Sequence, residues 1–384
     1  MNNPIYINSI STISPLGEER KGIWNNYKSS SHFITKANFN GAGEYAGFLP
    51  TWLKQKVISL RQEDELKNVD ETVLFAVYAS RKLAGENGWN KKENIGINIG
   101  SSRGATGLFE KYHRSFLESG KAEVLASPAT TLGNISSWVA QDLQSSGPEI
   151  SHSVTCSTGL HAILNAVAWL QAGMAEKFLV GGSEAALTPF TIAQMKAMKI
   201  YASQDADFPC RALDLEKTRN TMILGEAAGV LGLSKSPRTP LARIEGIGFA
   251  TEKLKHAVSL SANADCLQKS MKMAVGNQQL SNVDAIVMHA PGTVKGDMAE
   301  FNAIRSLFGK QLPALTSNKW KIGHSFGASG ILSLELALLM MEHQEFIGIP
   351  FVNDFNKPNK LEKILVNAVG FGGNAVSILL SREF

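Results

Sequence analysis

The sequence predicts an α/β fold, and two observations carry that prediction. Apolar, β-rich runs alternate with helix-period runs along the whole chain. A unit of the form strand, polar turn, helix, strand also occurs on both sides of a proline-containing stretch at residues 234–240 (SKSPRTP), the clearest linker in the chain.

In chain order, residues 4–13 (PIYINSISTI) read as a strand of alternating character. Residues 70–87 (DETVLFAVYASRKLAGEN) read as a helix, with Asp70 placed as its N-cap. Residues 94–100 (NIGINIG) form a buried-strand run ending in glycine. EISHSV at 149–154 is a short strand that runs into TCSTG and then a helix with Leu160, Ile163, Leu164, Val167 and Leu170 on one face. KFLVGGSEAAL at 177–187 gives another strand. Beyond the linker, 283–293 (VDAIVMHAPGT) is a strand then a turn, and 319–330 (KWKIGHSFGASG) is a loop into a helix. Residues 363–381 (KILVNAVGFGGNAVSILLS) are two strands around a glycine-rich turn. No repeat exists at the residue level, so the two-unit pattern alone is weak support for a duplication.

The chain has 384 residues, 44% hydrophobic and 19% charged. The charged share is below the globular average of about 25%, as expected of a well-buried enzyme. With 38 Lys+Arg against 34 Asp+Glu, the net charge of +4 gives no argument for a nucleic-acid partner. The three cysteines (Cys156, Cys210 and Cys266) are odd in number and widely spaced, against both a disulfide framework and a cysteine-rich metal site. The N-terminal stretch has no basic start or long apolar run. The most apolar late segment, GILSLELALLMM, carries Glu335 and is too short to span a bilayer. The expectation is a cytoplasmic protein with no membrane insertion.

Cys156 is the most informative position. In V-T-C-S-T-G-L-H-A it closes a short strand and precedes a helix, where the helix dipole is expected to lower its pKa and a sharp turn to expose its sulfur. From context alone, a buried structural cysteine is equally well supported. His289 (VMHAPGT) and His324 (KIGHSFGASG) lie in polar, glycine-containing turns after apolar runs, where side chains project into clefts at strand ends. Taken singly, each is as readily a structural histidine. His32, His113, His256 and His343 read as surface or capping residues, and His161 as packing. Gly100-Ser101-Ser102-Arg103-Gly104 fits the serine-hydrolase elbow pattern, a short match that recurs by chance and needs an acid and a histidine elsewhere. The sequence has no phosphate loop and no H-E-x-x-H.

Taken together these segments resemble the β-ketoacyl-acyl-carrier-protein synthases, condensing enzymes of thiolase-like fold. V-T-C-S-T-G-L-H-A resembles their nucleophile motif, and INSISTISPLG their opening strand and turn. GGSEAALTPF resembles the segment after the nucleophile helix, and CRALD with LGEAAGVLGL resembles "RPFD … GEGAG". H-A-P-G-T-V-K-G-D-M-A-E resembles "HGTGT … D … E" and supplies His289, Thr293, Asp297 and Glu300. S-N-K-W-K-I-G-H-S-F-G-A-S-G resembles "TKSMTGHTLGAAG" and supplies Lys319 and His324, and GFGGN resembles "GFGGTN". The resemblance spans nearly the whole chain.

It implies two pseudo-duplicated halves, 1–235 and 236–384, in a layered α-β-α-β-α core, the first half holding the nucleophile and the second both histidines and the GFGG turn. It implies an elongating Cys-His-His enzyme of fatty-acid or polyketide type. Cys156 takes an acyl group as a thioester, with the oxyanion on the backbone N–H groups of Cys156 and Phe371. His289 and His324 stabilise the enolate left when malonyl-carrier protein loses carbon dioxide. Lys319 completes the catalytic set, Thr293 contacts the phosphopantetheine arm, and Phe371 gates the nucleophile. The implied partners are acyl carrier protein and a second subunit, either another copy or a chain-length-factor-like chain. Phosphopantetheine arrives on the carrier, and no metal or other cofactor is implied. Carrier proteins are acidic, and Lys54, Lys56, Arg61 and Lys67 are candidates for a basic patch at the site mouth.

Four positions depart from the family pattern. Pro291 replaces the first threonine of "HGTGT", and Ser333 the glutamate nine residues after the second histidine. Glu335, two residues further on, is turned by about 200° on a helix and is not a simple replacement. The "RDGF" segment reads RNTMI. Arg103 stands where elongating enzymes often place a small or apolar residue lining the acyl pocket. These departures suit a specialised enzyme, for example one extending an aryl or polyene chain. Two other readings are a non-catalytic chain-length-factor-like subunit, which would usually lack the cysteine, and a serine hydrolase acting through Ser102.

Overall fold

A computed structural model describes residues 4–89, 93–132, 134–203, 205–254, 260–352 and 357–383; His256 lies outside these. In chain order the strands are β1 (Ile5–Ile13), β2 (Thr35–Phe39), β3 (Ala42–Ala46), β4 (Ile95–Gly100), β5 (Glu149–Ile150), β6 (Lys177–Glu184), β7 (Ala227–Ser234), β8 (Ala242–Thr251), β9 (Ala285–Val287), β10 (Ala314–Thr316), β11 (Lys363–Gly370) and β12 (Asn374–Ser381). The α-helices are α1 (Arg20–Lys28), α2 (Thr51–Ile58), α3 (Glu71–Glu86), α4 (Thr106–Ser119), α5 (Asn134–Leu143), α6 (Thr158–Ala172), α7 (Pro189–Ala197), α8 (Asp265–Val275), α9 (Val294–Phe308), α10 (Lys319–Ile322) and α11 (Ser329–His343).

Ten strands form one mixed sheet in the order β10-β9-β11-β12-β8-β1-β7-β6-β4-β5, while β2 and β3 pair as a separate hairpin. The order repeats. In the first half, read outward from the centre, it is β1-β7-β6-β4-β5, and in the second it is β8-β12-β11-β9-β10. Numbering the sheet strands within each half, both run first, fifth, fourth, second, third. The pairing senses repeat too: β1–β7 and β8–β12 are antiparallel, β4–β6 and β9–β11 parallel. The duplication that is invisible residue by residue is thus explicit in the topology. A short antiparallel join, Ile5–Ile7 against Ala242–Ile244, links the halves.

Helices sort into three layers. α3 and α5 pack on strands of the first half, and α8, with α9 beside it, packs on strands of the second. α6 and α11 touch each other and strands of both halves, completing the α-β-α-β-α arrangement of a thiolase-like fold. Their contact explains why α11 is buried along almost its whole length: an element covered on all sides must be apolar all round. Asp70 caps α3, accepting the Thr72 N–H at 2.9 Å. The expected strand at 149–154 is shorter than its sequence suggests. Only Glu149 and Ile150 pair, and the chain then turns toward Cys156.

Candidate active site

Cys156 sits on a strained elbow. Thr155 has φ +50°, a left-handed conformation costly for a β-branched residue and found mainly where the surroundings enforce it. The enforcement is visible: the Thr155 hydroxyl donates to the Phe371 carbonyl at 3.2 Å, and the Thr158 hydroxyl donates to the Thr155 carbonyl at 2.6 Å. α6 begins two residues after the thiol. The glycine-rich turn lies against this elbow so closely that a Cβ on Gly370 would fall 1.9 Å from Thr155 Oγ1 and 2.9 Å from the Cys156 nitrogen. Close approach therefore requires glycine there.

Burial acts on the thiol in the opposite direction to the helix end. Burial pushes it up to about 12, the Glu184 carboxylate adds to the shift, and Lys319 and Arg103 only partly oppose it. Cys156 is 7% exposed, and burial of the thiolate acts against the lowering expected of a helix N-terminus.

His289 follows β9, and α9 holds its loop. Glu300 accepts the backbone N–H groups of His289 at 2.9 Å and Ala290 at 2.8 Å, and the Asn367 side chain at 3.1 Å. Asp297, one turn earlier, accepts from Gly292 N–H, Leu213 N–H and the buried Lys217 ammonium. The two acids of the motif thus fix the loop carrying the histidine. Thr293 caps α9, its hydroxyl accepting the Gly296 N–H at 3.2 Å.

His324 is held by its own loop. Its backbone N–H donates to the Ile223 carbonyl at 2.6 Å. Its Nδ1 accepts the Phe326 N–H at 3.1 Å and lies 3.0 Å from the Ser329 hydroxyl. A ring nitrogen that accepts from a backbone amide carries no proton, so in the neutral ring the N–H is at Nε2. Ala290 and Phe326 both have positive φ, +27° and +41°, so each histidine loop, like the cysteine elbow, stores strain. The two rings meet edge to face with centroids 5.1 Å apart. Burial first, and the Lys319 charge second, hold both well below the usual imidazole range. They are neutral donors at physiological pH.

Lys319 opens the short helix α10 and is 1% exposed. Its Nζ has no hydrogen-bond partner among the described residues. Burial lowers its pKa to about 8, with Glu300, Cys156 and Asp297 pulling the other way. Ser333 is also buried, and its hydroxyl has no partner among the described residues. Glu335 faces elsewhere, accepting from the Thr12 hydroxyl and Tyr27.

One cavity of about 850 Å³ is lined by Cys156, His289, His324, Thr293, Pro291, Phe326 and Phe371. Arg103 lies behind it: the guanidinium stands 5.7 Å from the centroid of the Phe326 ring and donates to Gln194 Oε1 at 2.6 Å. Two expectations need correction. Of the cations proposed for the mouth, Lys54, Lys56, Arg61 and Lys67, none lines this cavity: Lys54 pairs with Glu71 and Glu226, Lys56 with Glu18, Arg61 donates to backbone carbonyls, and Lys67 is exposed away from the lining. The basic residues that do line it are Lys196, Lys199, Arg219 and Lys295. Nor does Ser102 line it; its N–H is held by Glu184. Sequence reading passed over Glu184, a buried carboxylate that also accepts the Gly327 N–H at 3.1 Å and so joins the Ser102 loop to the His324 loop. Its only signal was an acid closing an apolar strand.

The β-ketoacyl synthase N-terminal domain matches residues 2–238, and the β-ketoacyl synthase C-terminal domain matches residues 241–350. A 3-oxoacyl-[acyl-carrier-protein] synthase 2 of Coxiella burnetii is 26% identical over 416 residues, covering 99% of each chain. Two solved structures share the fold over the full length of both chains: the ishigamide ketosynthase/chain length factor (TM-score 0.85, 19% identity) and the AntDE:AntF complex, a type II PKS acyl-carrier protein with its ketosynthase (TM-score 0.84, 18% identity). With its cysteine and two histidines on loops from both halves, and both family domains matched in order, the chain belongs to the β-ketoacyl synthase family.

Proposed function

We propose that this chain is the catalytic subunit of an elongating ketosynthase, joining an acyl group to malonyl-carrier protein by decarboxylative Claisen condensation in fatty-acid or polyketide-type synthesis. The observation that carries the reading is the cavity shared by a buried thiol and two neutral imidazoles packed edge to face. In the first step the Cys156 sulfur forms a bond to the carbonyl carbon of the acyl thioester. The carrier's pantetheine sulfur leaves with the proton, and the oxyanion rests on the N–H groups of Cys156 and Phe371. In the second step the bond from the malonyl methylene carbon to its carboxylate breaks. Carbon dioxide leaves and the electron pair becomes an enolate, whose oxygen accepts from His289 and from Nε2–H of His324. A neutral donor suits this role because it gives up no proton. In the third step the enolate carbon attacks the acyl-Cys156 carbonyl, the cysteine sulfur departs, and it regains a proton from solvent.

Lys319 supplies a buried charge beside this chemistry, and Thr293 lies where it can meet the pantetheine arm. Exposed Lys199, Arg219 and Lys295 form the docking rim for an acidic acyl carrier protein. The second subunit covers the outer edge of the first half. There β5 is the terminal strand and its Ile150 is exposed, and Phe109, Phe116 and Leu117 of α4 and Val124 beyond it are exposed as well. Iodoacetamide is expected to label Cys156 and abolish carrier-protein-dependent condensation, as is Cys156→Ala. Condensation surviving in the Cys156→Ala assembly would instead favour a chain-length-factor role, and fluorophosphonate labelling of Ser102 would favour a hydrolase.

A further inference from the structure

Resting on that reading, we infer that Phe326 and Arg103 form the end wall of the acyl-binding space at Cys156, so that the enzyme accepts short acyl chains and turns away long saturated ones. Phe326 is 5% exposed, lines the cavity with Cys156, and packs in the same small apolar cluster with Met195, Tyr201 and Met222. An acyl chain leaving the thioester into this cluster meets that ring.

The backbone that carries the ring is fixed at three points. It is left-handed at φ +41°, and its N–H is committed to His324 Nδ1. The next residue, Gly327, donates to Glu184, the same carboxylate that accepts from Ser102, the neighbour of Arg103. A Cβ on Gly327 would lie 2.8 Å from the Ser102 nitrogen, so the two loops are in direct contact. Shifting the Phe326 backbone to make room would therefore disturb the hydrogen bond that sets the His324 tautomer.

What lies behind the ring is equally unfavourable to an alkyl chain. The Arg103 guanidinium faces Phe326 and is held by Gln194, whose neighbour Met195 lines the cavity. Arg103 Nε is buried without a hydrogen-bond partner among the described residues. Methylenes pushed past Phe326 would cover a cation already short of one acceptor, and would forfeit the favourable burial that each gains in an apolar pocket. Elsewhere in this cavity wall methionines yield easily; here an aromatic ring on a fixed backbone, backed by a charge, is the stiffer barrier.

The test is self-acylation of Cys156 by butanoyl-, octanoyl- and dodecanoyl-carrier protein, read by intact-protein mass spectrometry on the full chain and on the Phe326→Leu and Arg103→Ala variants. The parent is expected to load butanoyl groups faster than dodecanoyl, and at least one variant to raise the dodecanoyl-to-butanoyl rate ratio by about tenfold or more, the scale on which a hydrophobic pocket discriminates added methylenes. Because a ratio is read, a variant that slows both donors together does not mimic the effect. Equal loading of both donors by the parent, or an unchanged ratio in both variants, overturns the end wall while leaving the ketosynthase reading intact. Absence of acyl mass on Cys156 from every donor overturns both.

Discussion

The two halves of the molecule order their sheet strands identically, yet the loops after equivalent strands carry different chemistry. The loop after the third strand of the first half, β5, bears Cys156 and leads into α6. Its counterpart after β10 bears Lys319 and His324 and leads into α11. After the second strand, β4 is followed by Arg103 and β9 by His289; after the fourth, β6 by the segment from Glu184 and β11 by Phe371. The repeated topology explains why six loops from distant parts of the chain converge on one place. The fold fixes where the loops end; in the proposed mechanism the side chains divide the labour, with the nucleophile in one half and the enolate stabilisers in the other.

That division is most directly broken by separating the half-reactions. Cys156→Ala is expected to lower condensation by on the order of a thousandfold or more, while decarboxylation of malonyl-carrier protein, which needs only the second half's donors, continues. Loss of both reactions together in a folded variant would refute the division. The reciprocal change, His324→Ala, removes one preorganised donor. It is expected to slow decarboxylation by about a hundredfold while Cys156 still takes up acyl groups; a variant that decarboxylates normally would remove His324 from the enolate site.

A smaller effect concerns the thiol. Because its pKa is pushed up to about 12, the thiolate fraction is small throughout the neutral range. The iodoacetamide rate at Cys156 is expected to rise about tenfold per pH unit from pH 7 to pH 9 without levelling. A plateau below pH 8 would mean that the α6 dipole prevails over burial.

The sequence carried strands β1, β4, β6, β9, β11 and β12, the α3 cap and, through the resemblance, Cys156, His289, Thr293, His324 and Phe371 at the cavity, because these depend on local pattern and motif; it did not mark Phe326. It did not carry what depends on burial and on neighbours distant in sequence. The helix-end position of Cys156 suggested a lowered pKa, but desolvation is set by loops more than a hundred residues away. Lys54 and Lys56 looked like a basic rim because their partners Glu226 and Glu18 lie elsewhere in the chain. Glu184 was passed over because its role is to hold two backbone amides from different halves.

The smallest expected effect sharpens the contrast between the equivalent helices α6 and α11. α6 carries no acidic residue, whereas α11 buries Glu335 at 3% exposure. Burial raises that carboxyl from 4.5 to about 7, more than the Thr12 hydroxyl, Arg20 and Tyr27 lower it. Its folded pKa is thus above its unfolded one, so between those two values the folded state keeps a proton that the unfolded state releases. The contribution to stability is full below about pH 4.5, is lost as pH rises through 7, and stays lost above it. Glu335→Gln removes this penalty, and at pH 8 it is expected to stabilise the chain by on the order of 1–2 kcal/mol relative to its effect at pH 5. Denaturant unfolding at the two pH values measures the difference. An unchanged difference would mean that α11 tolerates the ionised carboxylate and is electrostatically no different from α6.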